Sequence, residues 1–293
     1  MNKNSLYEYR ADFLLLTVAI AWGVTFLMVQ EAVESTPVYA FFFFFFIIAA
    51  FLMGIIFQKQ LRKLDRKTII FGVTLGFFLF WAFATQTFGL TYTKSSIVAF
   101  ITGLSVVCVP FLSFILFKEN IKSKTILASV VAVVGLYLLT MSGTLNFQIG
   151  EFLTLLCAFL FASHIVFTGK FSRKVNVFNL VFIQFLTVAL LSLIMSLLVE
   201  SRTFTIDFDF AFYKAVLVTS IFATVYAFMI QTYMQQFTTT TKTAIIFTME
   251  PVSAAFYGYY VGNEILSFAQ IIGAFLIITA TLIAELRFKK LSN

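Results

Sequence analysis

Apolar residues come in blocks of about twenty along this chain, and short polar stretches separate the blocks. Ten blocks stand out, at about 12–31, 38–57, 69–90, 95–117, 124–142, 150–170, 177–199, 211–235, 243–262 and 266–286. As helices they are each long enough to cross a hydrocarbon core of roughly 30 Å. A helix in lipid satisfies its own backbone hydrogen bonds, so helix is the expected form. A membrane barrel would show strands of about ten residues that alternate apolar and polar, and these blocks do not. The pattern predicts an all-α polytopic membrane protein with ten transmembrane helices.

Composition agrees, with 61% hydrophobic residues, 41 phenylalanines and only 11% charged residues. A soluble domain carries about 25% charged residues. A net charge of +7 would fit a nucleic-acid partner, but its placement does not. With the N-terminus inside, all lysines and arginines except Lys94, Arg202 and Lys214 fall on the cytoplasmic side. That is the positive-inside bias, and it places both termini in the cytoplasm. The bilayer is the expected partner, nucleic acid is not, and the expected location is the cytoplasmic (inner) membrane, multi-pass. The first block is full length and lacks a cleavage site, so it is expected to remain as a helix. Cys108 and Cys157 sit inside blocks and read as small hydrophobes rather than a disulfide. One histidine and two cysteines give no metal-ligand spacing, and no GxxxxGK[ST] loop is present, so no metal, cofactor or nucleotide is expected. The outer stretch 200–213, "ESRTFTIDFDFAFY", predicts a short interfacial helix or strand.

A repeat is superposed on the blocks. Shifted by 145 positions, the second half falls on the first without a gap from about 81 to 137. Glu119 meets Glu264, Gln86-Thr87 meets Gln231-Thr232, and Phe83 meets Phe228. Ala128 meets Gly273 and Gly135 meets Ala280. The offset spans five helices, an odd number, so the copies, 1–143 and 144–293, must have opposite orientations. Inverted repeats are typical of transporters, whose substrate sites lie near the midplane between the halves.

Three segments carry a resemblance: "AIAWGVTF" at 19–26, "QTFGLTYTKSSIVAFITGLSVVCVPFLSFILFKE" at 86–119 and "QTYMQQFTTTTKTAIIFTMEPVSAAFYGYYVGNE" at 231–264. In them the chain resembles the drug/metabolite transporter superfamily, in its ten-helix EamA-like branch. The resemblance implies two inverted five-helix repeats and the movement, often outward, of small metabolites such as amino acids. One departure stands in the second helix, "YAFFFFFFIIAA", where Phe45 takes the place of an arginine that the family often carries. The six phenylalanines point all around a helix, so the run reads as a lipid-facing and packing surface.

Candidate chemistry is sparse. Glu250 is the one acid well inside a predicted helix, where a carboxylate costs a few kcal/mol on insertion scales. It could exchange a proton, which would couple transport to a proton gradient, or pair with an ammonium group. Pro251 beside it lacks an amide hydrogen and should break the helix and free carbonyls near Phe247. Each residue also has a plainer, structural role open to it. His164 could shuttle protons, or pack between helices as a hydrogen-bonded polar residue. Gln86 and Gln231, at symmetric positions, could bind a polar substrate or act as interhelical glue. Gln184 has no symmetric mate. Trp22 and Tyr226 could form aromatic walls, or pack as core. Trp81 and Tyr92 read as interfacial anchors near helix ends. Glu119 and Glu264 read as helix caps, Gly72 and Gly76 as a close helix contact, and "TTTTK" at 238–242 as a capping segment.

These features predict a secondary transporter for a small molecule, an amino acid or related amine-bearing compound, with export by alternating access and protons as a candidate coupling ion. An uncoupled facilitator or channel is the alternative, ahead of a membrane-embedded enzyme or a scaffold. An enzyme would need a nucleophile with a base, or a metal cluster. Monomer and homodimer both remain open.

Overall fold

The computed structural model describes residues 3–61, 63–93, 95–140, 148–200, 210–261 and 265–285. These residues are helical, without strands. The helices are α1 (Lys3–Ser35), α2 (Val38–Ile56), a single turn α3 (Gln58–Leu61), α4 (Arg66–Tyr92), α5 (Ser95–Gly103), α6 (Ser105–Phe117), α7 (Ser123–Thr140), α8 (Ile149–Phe171) and α9 (Val177–Val199). Next α10 (Phe210–Val218) runs through a π-helical stretch, Thr219–Tyr226, into α11 (Ala227–Met234). Last come α12 (Thr240–Phe247), α13 (Met249–Val261) and α14 (Phe268–Glu285). Among the described residues, seven helical spans are long and apolar enough to cross a membrane. The protein is thus an all-helical, multi-pass membrane protein. The other predicted blocks fall on α1, on the broken pair α12–α13 and on the shorter α14.

Four predicted blocks differ from simple rods, in three ways. First, α1 begins at Lys3 rather than near residue 12, which brings Asp12 inside a helix. Second, the block 95–117 breaks at Leu104 and the block 243–262 breaks at Thr248. The two breaks share one geometry. Leu104 has φ −64° and ψ −9°, and Thr248 has φ −65° and ψ −9°. Each donates its amide three residues back, to Ile101 or Ile245, at 3.1 Å. Third, the block 211–235 contains the π stretch, a form found mostly at functional places. The expected break at Pro251 therefore lies a little upstream. Pro251 sits in the first turn of α13, where a missing amide hydrogen costs nothing, and the chain bends at Thr248 instead.

The helix ends follow from polar side chains. Asp65 caps α4 through the Thr68 amide at 3.1 Å, and the Thr68 hydroxyl also donates to it, which holds the Asp65 carboxyl below the usual carboxylate range. Thr239 caps α12 through the Lys242 amide at 3.2 Å. Gln148 and Glu151 form a capping box at α8. At α2 the Glu200 carboxylate takes the amides of Tyr39 and Ala40 at 2.8 and 2.9 Å. Glu119 is not a cap: Lys170 lies within 2.6 Å and draws the carboxylate across to α8. Glu264 lies outside the described residues, as do Lys94, Arg202 and the outer stretch 201–209.

Close packing depends on small residues, since lipid offers no hydrophobic drive between helices. On α4, Gly72 and Gly76 meet α9, and a Cβ at Gly76 would lie 2.8 Å from the Gln184 carbonyl oxygen. On α7, Gly135 meets Gly273 of α14, each so near that a Cβ would come within 2.8 Å of the other's carbonyl oxygen. Phe41, Phe42, Phe45 and Phe46 are buried with Phe80, Phe185 and Phe228. Phe43 and Phe44 are half-buried, so none of the six faces lipid openly, contrary to the lipid-facing half of that expectation. The reason is that α2 packs against α4, α9 and the π stretch and has little free circumference. Lipid-facing area comes instead from side chains such as Phe51, Phe111, Leu198 and Phe275. Trp81 lies mid-helix in α4, half-buried, rather than at an end, whereas Tyr92 is exposed at the last position of α4.

Candidate functional site

The broken helices and the π stretch meet at a central cavity of about 290 Å³. Both halves of the chain line it. Trp22 and Thr25 come from α1, Phe45 from α2, Gln86 from α4 and Thr102 from α5. His164 comes from α8, Thr219 and Ala223 from the π stretch, Gln231 from α11 and Thr248, Glu250 and Pro251 from the α12–α13 break. The cavity reaches Leu90 and Thr140, near the C-terminal ends of α4 and α7.

The opposite end, which holds the N-terminal part of α1, is shut by ionic and polar contacts. Asp12 on α1 pairs with Lys242 on α12 and accepts from the Thr238 hydroxyl at 2.8 Å. Lys242 also lies 3.5 Å from Glu8. Glu119 pairs with Lys170, and Ser113 meets the Thr240 hydroxyl at 2.9 Å. Arg173 donates to the carbonyls of Gln235 and Thr238 at 3.3 and 2.8 Å. None of these residues lines the cavity. Ile165, Gln231 and Ala244 are the lining residues nearest in sequence to Lys170, Gln235 and Lys242.

Within the cavity Glu250 has neither a hydrogen bond nor an ion pair from its carboxylate among the described residues. Gly23 on α1 allows its surroundings to form: a Cβ there would strike the Ser253 hydroxyl and the Glu250 carbonyl, so α1 touches the backbone of α13 directly. Ser253 also spans the two helices, donating to Ala19 O at 3.3 Å and Glu250 O at 2.9 Å. Trp22 donates its indole N–H to Ala223 O at 2.8 Å and meets Phe228 in a tilted and Phe247 in an edge-on contact, with ring centroids 5.3 and 5.0 Å apart.

The predicted polar residues fall into two groups. Gln86 donates to Thr102 at 3.4 Å, and Thr102 in turn lies 3.8 Å from the Cys157 sulfur. His164, Gln184 and Gln231 belong to a second cluster between α8, α9 and α11. The His164 Nε2 meets Gln184 Oε1 at 3.1 Å, and Gln231 donates to Gln235 at 3.4 Å. Gln235 joins the two through Ile165 O at 3.1 Å. Six of the seven predicted site residues thus line one cavity. Tyr226 is the exception. It does not line the cavity, and its hydroxyl meets Thr17 at 2.7 Å on the outer side of α1. Ala223, three residues earlier in the π stretch, does line the cavity.

Sequence reasoning missed the hydroxyls of Thr25, Thr140, Thr219 and Thr248, which line the cavity. Threonine is common in these helices, so no single position was marked. Asp12 was also missed, because the first apolar block was taken to start at that residue. Phe45 stands in a run that reads as a lipid-facing and packing surface, yet of the six phenylalanines it is the one on the cavity wall.

Comparison with known proteins now bears on this architecture. The model of the EamA-like transporter family matches twice, at residues 9–141 and 148–285. The chain belongs to the EamA-like transporter family. An uncharacterized transporter of Archaeoglobus fulgidus is 33% identical over 277 residues, covering 94% of this chain and 86% of the relative. A crystal structure of another protein superposes with a TM-score of 0.81 over 94% of this chain and 96% of the other. At 16% identity that likeness speaks for the fold alone. The family makes the chain a membrane transporter with a small-molecule substrate, rather than an enzyme.

Proposed function

We propose that this EamA-like protein is a secondary transporter that exports a small amine-bearing metabolite, an amino acid or related compound, across the cytoplasmic membrane by alternating access. In this reading ten helices form two inverted five-helix repeats, 1–143 and 144–293, with both termini in the cytoplasm. The substrate sits in the central cavity, with Glu250 as the anchoring or proton-exchanging group and Trp22, Gln86, His164 and Gln231 in the wall.

The observation that carries this reading is an unpartnered carboxylate in a cavity that both halves line and that ion pairs shut at one end. Alternating access requires one face shut while the other is open, and the ion-paired end supplies such a closure. Several features support the inverted repeat. The family model matches each half. The breaks at Leu104 and Thr248 share their dihedral angles and lie one position short of the 145 offset. The Gly135–Gly273 crossing has its symmetric counterpart in Ala280 and Ala128, both fully buried in one cluster. The positive-inside bias places the ion-paired end in the cytoplasm, so this conformation faces outward.

The test compares metabolites in the medium of bacteria that express the native chain or Glu250→Gln. Export of a small set of amines or amino acids by the native chain alone is expected. Equal export by both would remove Glu250 from the site, and no change with either would remove the exporter reading. Saturation and counterflow in proteoliposomes separate a carrier from a pore, which shows neither.

A further inference from the structure

The hydrogen-bond polarity of the cavity narrows the substrate class, on the reading that the cavity is the transport site. Several of its donors are already engaged. The Trp22 indole N–H is held by Ala223 O, and the amide nitrogens of Gln86 and Gln231 already donate to Thr102 and Gln235. Four wall hydroxyls donate to their own helices: Thr25 to Ala21 O at 2.8 Å, Thr140 to Leu136 O, Thr219 to Ala215 O and Thr248 to Ile245 O, each of the last three at 2.6 Å. A hydroxyl engaged in this way offers only lone pairs to a ligand. The acceptors, by contrast, are free. Gln231 is 1% exposed, lines the cavity, and its Oε1 has no partner. Glu250 adds a carboxylate without a partner among the described residues.

No lysine or arginine lines the cavity among the described residues, and Phe45 occupies the wall. The rings of Trp22, Phe45, Phe83, Phe161, Phe228 and Phe247 make up much of the remaining surface. Ring faces attract cations and bury apolar bodies. An ammonium group has three donors and no acceptor, the complement of this wall. A carboxylate would lose its water here and find no lysine or arginine; the His164 imidazole and the hydroxyls of Thr87, Ser105 and Thr224 also line the wall, but the unpartnered Glu250 carboxylate would repel it.

We propose that the cavity takes a primary amine with an apolar, aromatic-sized body and no carboxylate, its charge held by Glu250 and its N–H groups by the free acceptors of the wall. This separates decarboxylated amines from the amino acids themselves. A zwitterion presents the same ammonium but adds an anion the cavity cannot pair. A quaternary ammonium keeps the charge but leaves the acceptors unsatisfied.

The experiment uses the purified full chain in lipid nanodiscs and reads the fluorescence of Trp22, with Trp81→Phe present in every sample to remove the other tryptophan. Four probes of one shape are titrated: phenethylamine, its N,N,N-trimethyl derivative, phenylalanine and 3-phenylpropionate. Phenethylamine is expected to saturate at a concentration at least about tenfold below phenylalanine, a difference of about 1.4 kcal/mol, with the trimethyl form between and phenylpropionate weakest. Glu250→Gln is expected to erase the preference for the amine. Equal or tighter binding of phenylalanine or phenylpropionate overturns the proposal, and so does an unchanged amine preference in Glu250→Gln. So does the failure of all four probes to bind. Counterflow of phenethylamine in proteoliposomes then judges the transporter reading separately. Binding with this preference but without counterflow overturns transport and leaves the recognition chemistry standing. Counterflow of a carboxylate-bearing metabolite without amine preference does the reverse.

Discussion

Asp12 and Glu250 both sit on helices of the bundle, and their surroundings are opposite. Asp12 is 4% exposed and fully engaged, by the Lys242 ammonium and the Thr238 hydroxyl. Glu250 lies at a helix break, half-buried against a cavity, with no partner for its carboxylate among the described residues. A buried charge that is paired contributes to holding elements in place, and removing one partner leaves the other stranded. An unpaired carboxylate in a membrane protein contributes no pairing to the fold and is a functional-site candidate. The difference teaches where the protein spends stability: on closing one end of the bundle, and not on the centre.

The largest effect should come from breaking the paired acid. Asp12→Asn removes the close partner of Lys242, with Glu8 still 3.5 Å away, and should cost up to about 3–5 kcal/mol, read as a lowered midpoint of thermal unfolding in detergent. Adding Lys242→Met should recover part of that loss. A single variant as stable as the native chain would show that the closed end is not held by this pair. Next comes the contact that places Glu250. Gly23→Ala drives a methyl into the α13 backbone and should cost about 1–3 kcal/mol, with transport falling further than stability because the cavity wall shifts. Unchanged transport would mean that α1 does not set the position of α13.

Glu250→Gln should behave in the opposite sense to Asp12→Asn. Its unfolding midpoint should equal or exceed that of the native chain, because an uncompensated charge has been removed, while transport is lost. A large fall in midpoint would reveal an unseen structural partner. The smallest effect belongs to Asp65, an acid in open solvent at the α4 cap. Its folded carboxyl titrates below its ordinary value of 3.8 because the Thr68 amide and hydroxyl favour the charged form. Its contribution is therefore present above pH 3.8 and lost as pH falls through the lower folded value. Asp65→Ala should remove a small stability increment at pH 7 and none at the acid end. An equal increment at both would assign the capping to the backbone alone.

Much of the bundle was legible from the apolar blocks, because a hydrocarbon core demands helices of a definite length. The positions of α2, α8 and α9 follow their blocks within a residue or two. The break at Thr248 was legible only as a disturbance around Pro251. The break at Leu104 carried no proline at the matching position, so only its symmetry with Thr248 marks it. Tyr226 was singled out only as an aromatic within the eighth block, and nothing in the sequence marks that its hydroxyl meets Thr17 rather than the cavity. Asp12 was hidden at the edge of its block, since charge near a block's end usually means solvent.

The sequence by itself determined the class, an all-helical membrane protein, and its internal repeat, because both depend on periodicity and on rare polar residues that recur at a fixed offset. It also singled out Glu250, since a carboxylate in an apolar run has few explanations. Only the tertiary structure decided which polar groups are spent and which are free. Pairing of Asp12 with Lys242, the commitment of the wall hydroxyls to their own helices and the free oxygen of Gln231 all depend on contacts between residues or elements in space. A side chain's hydrogen-bonding capacity is written in the sequence, but what remains of it after folding is set by its neighbours.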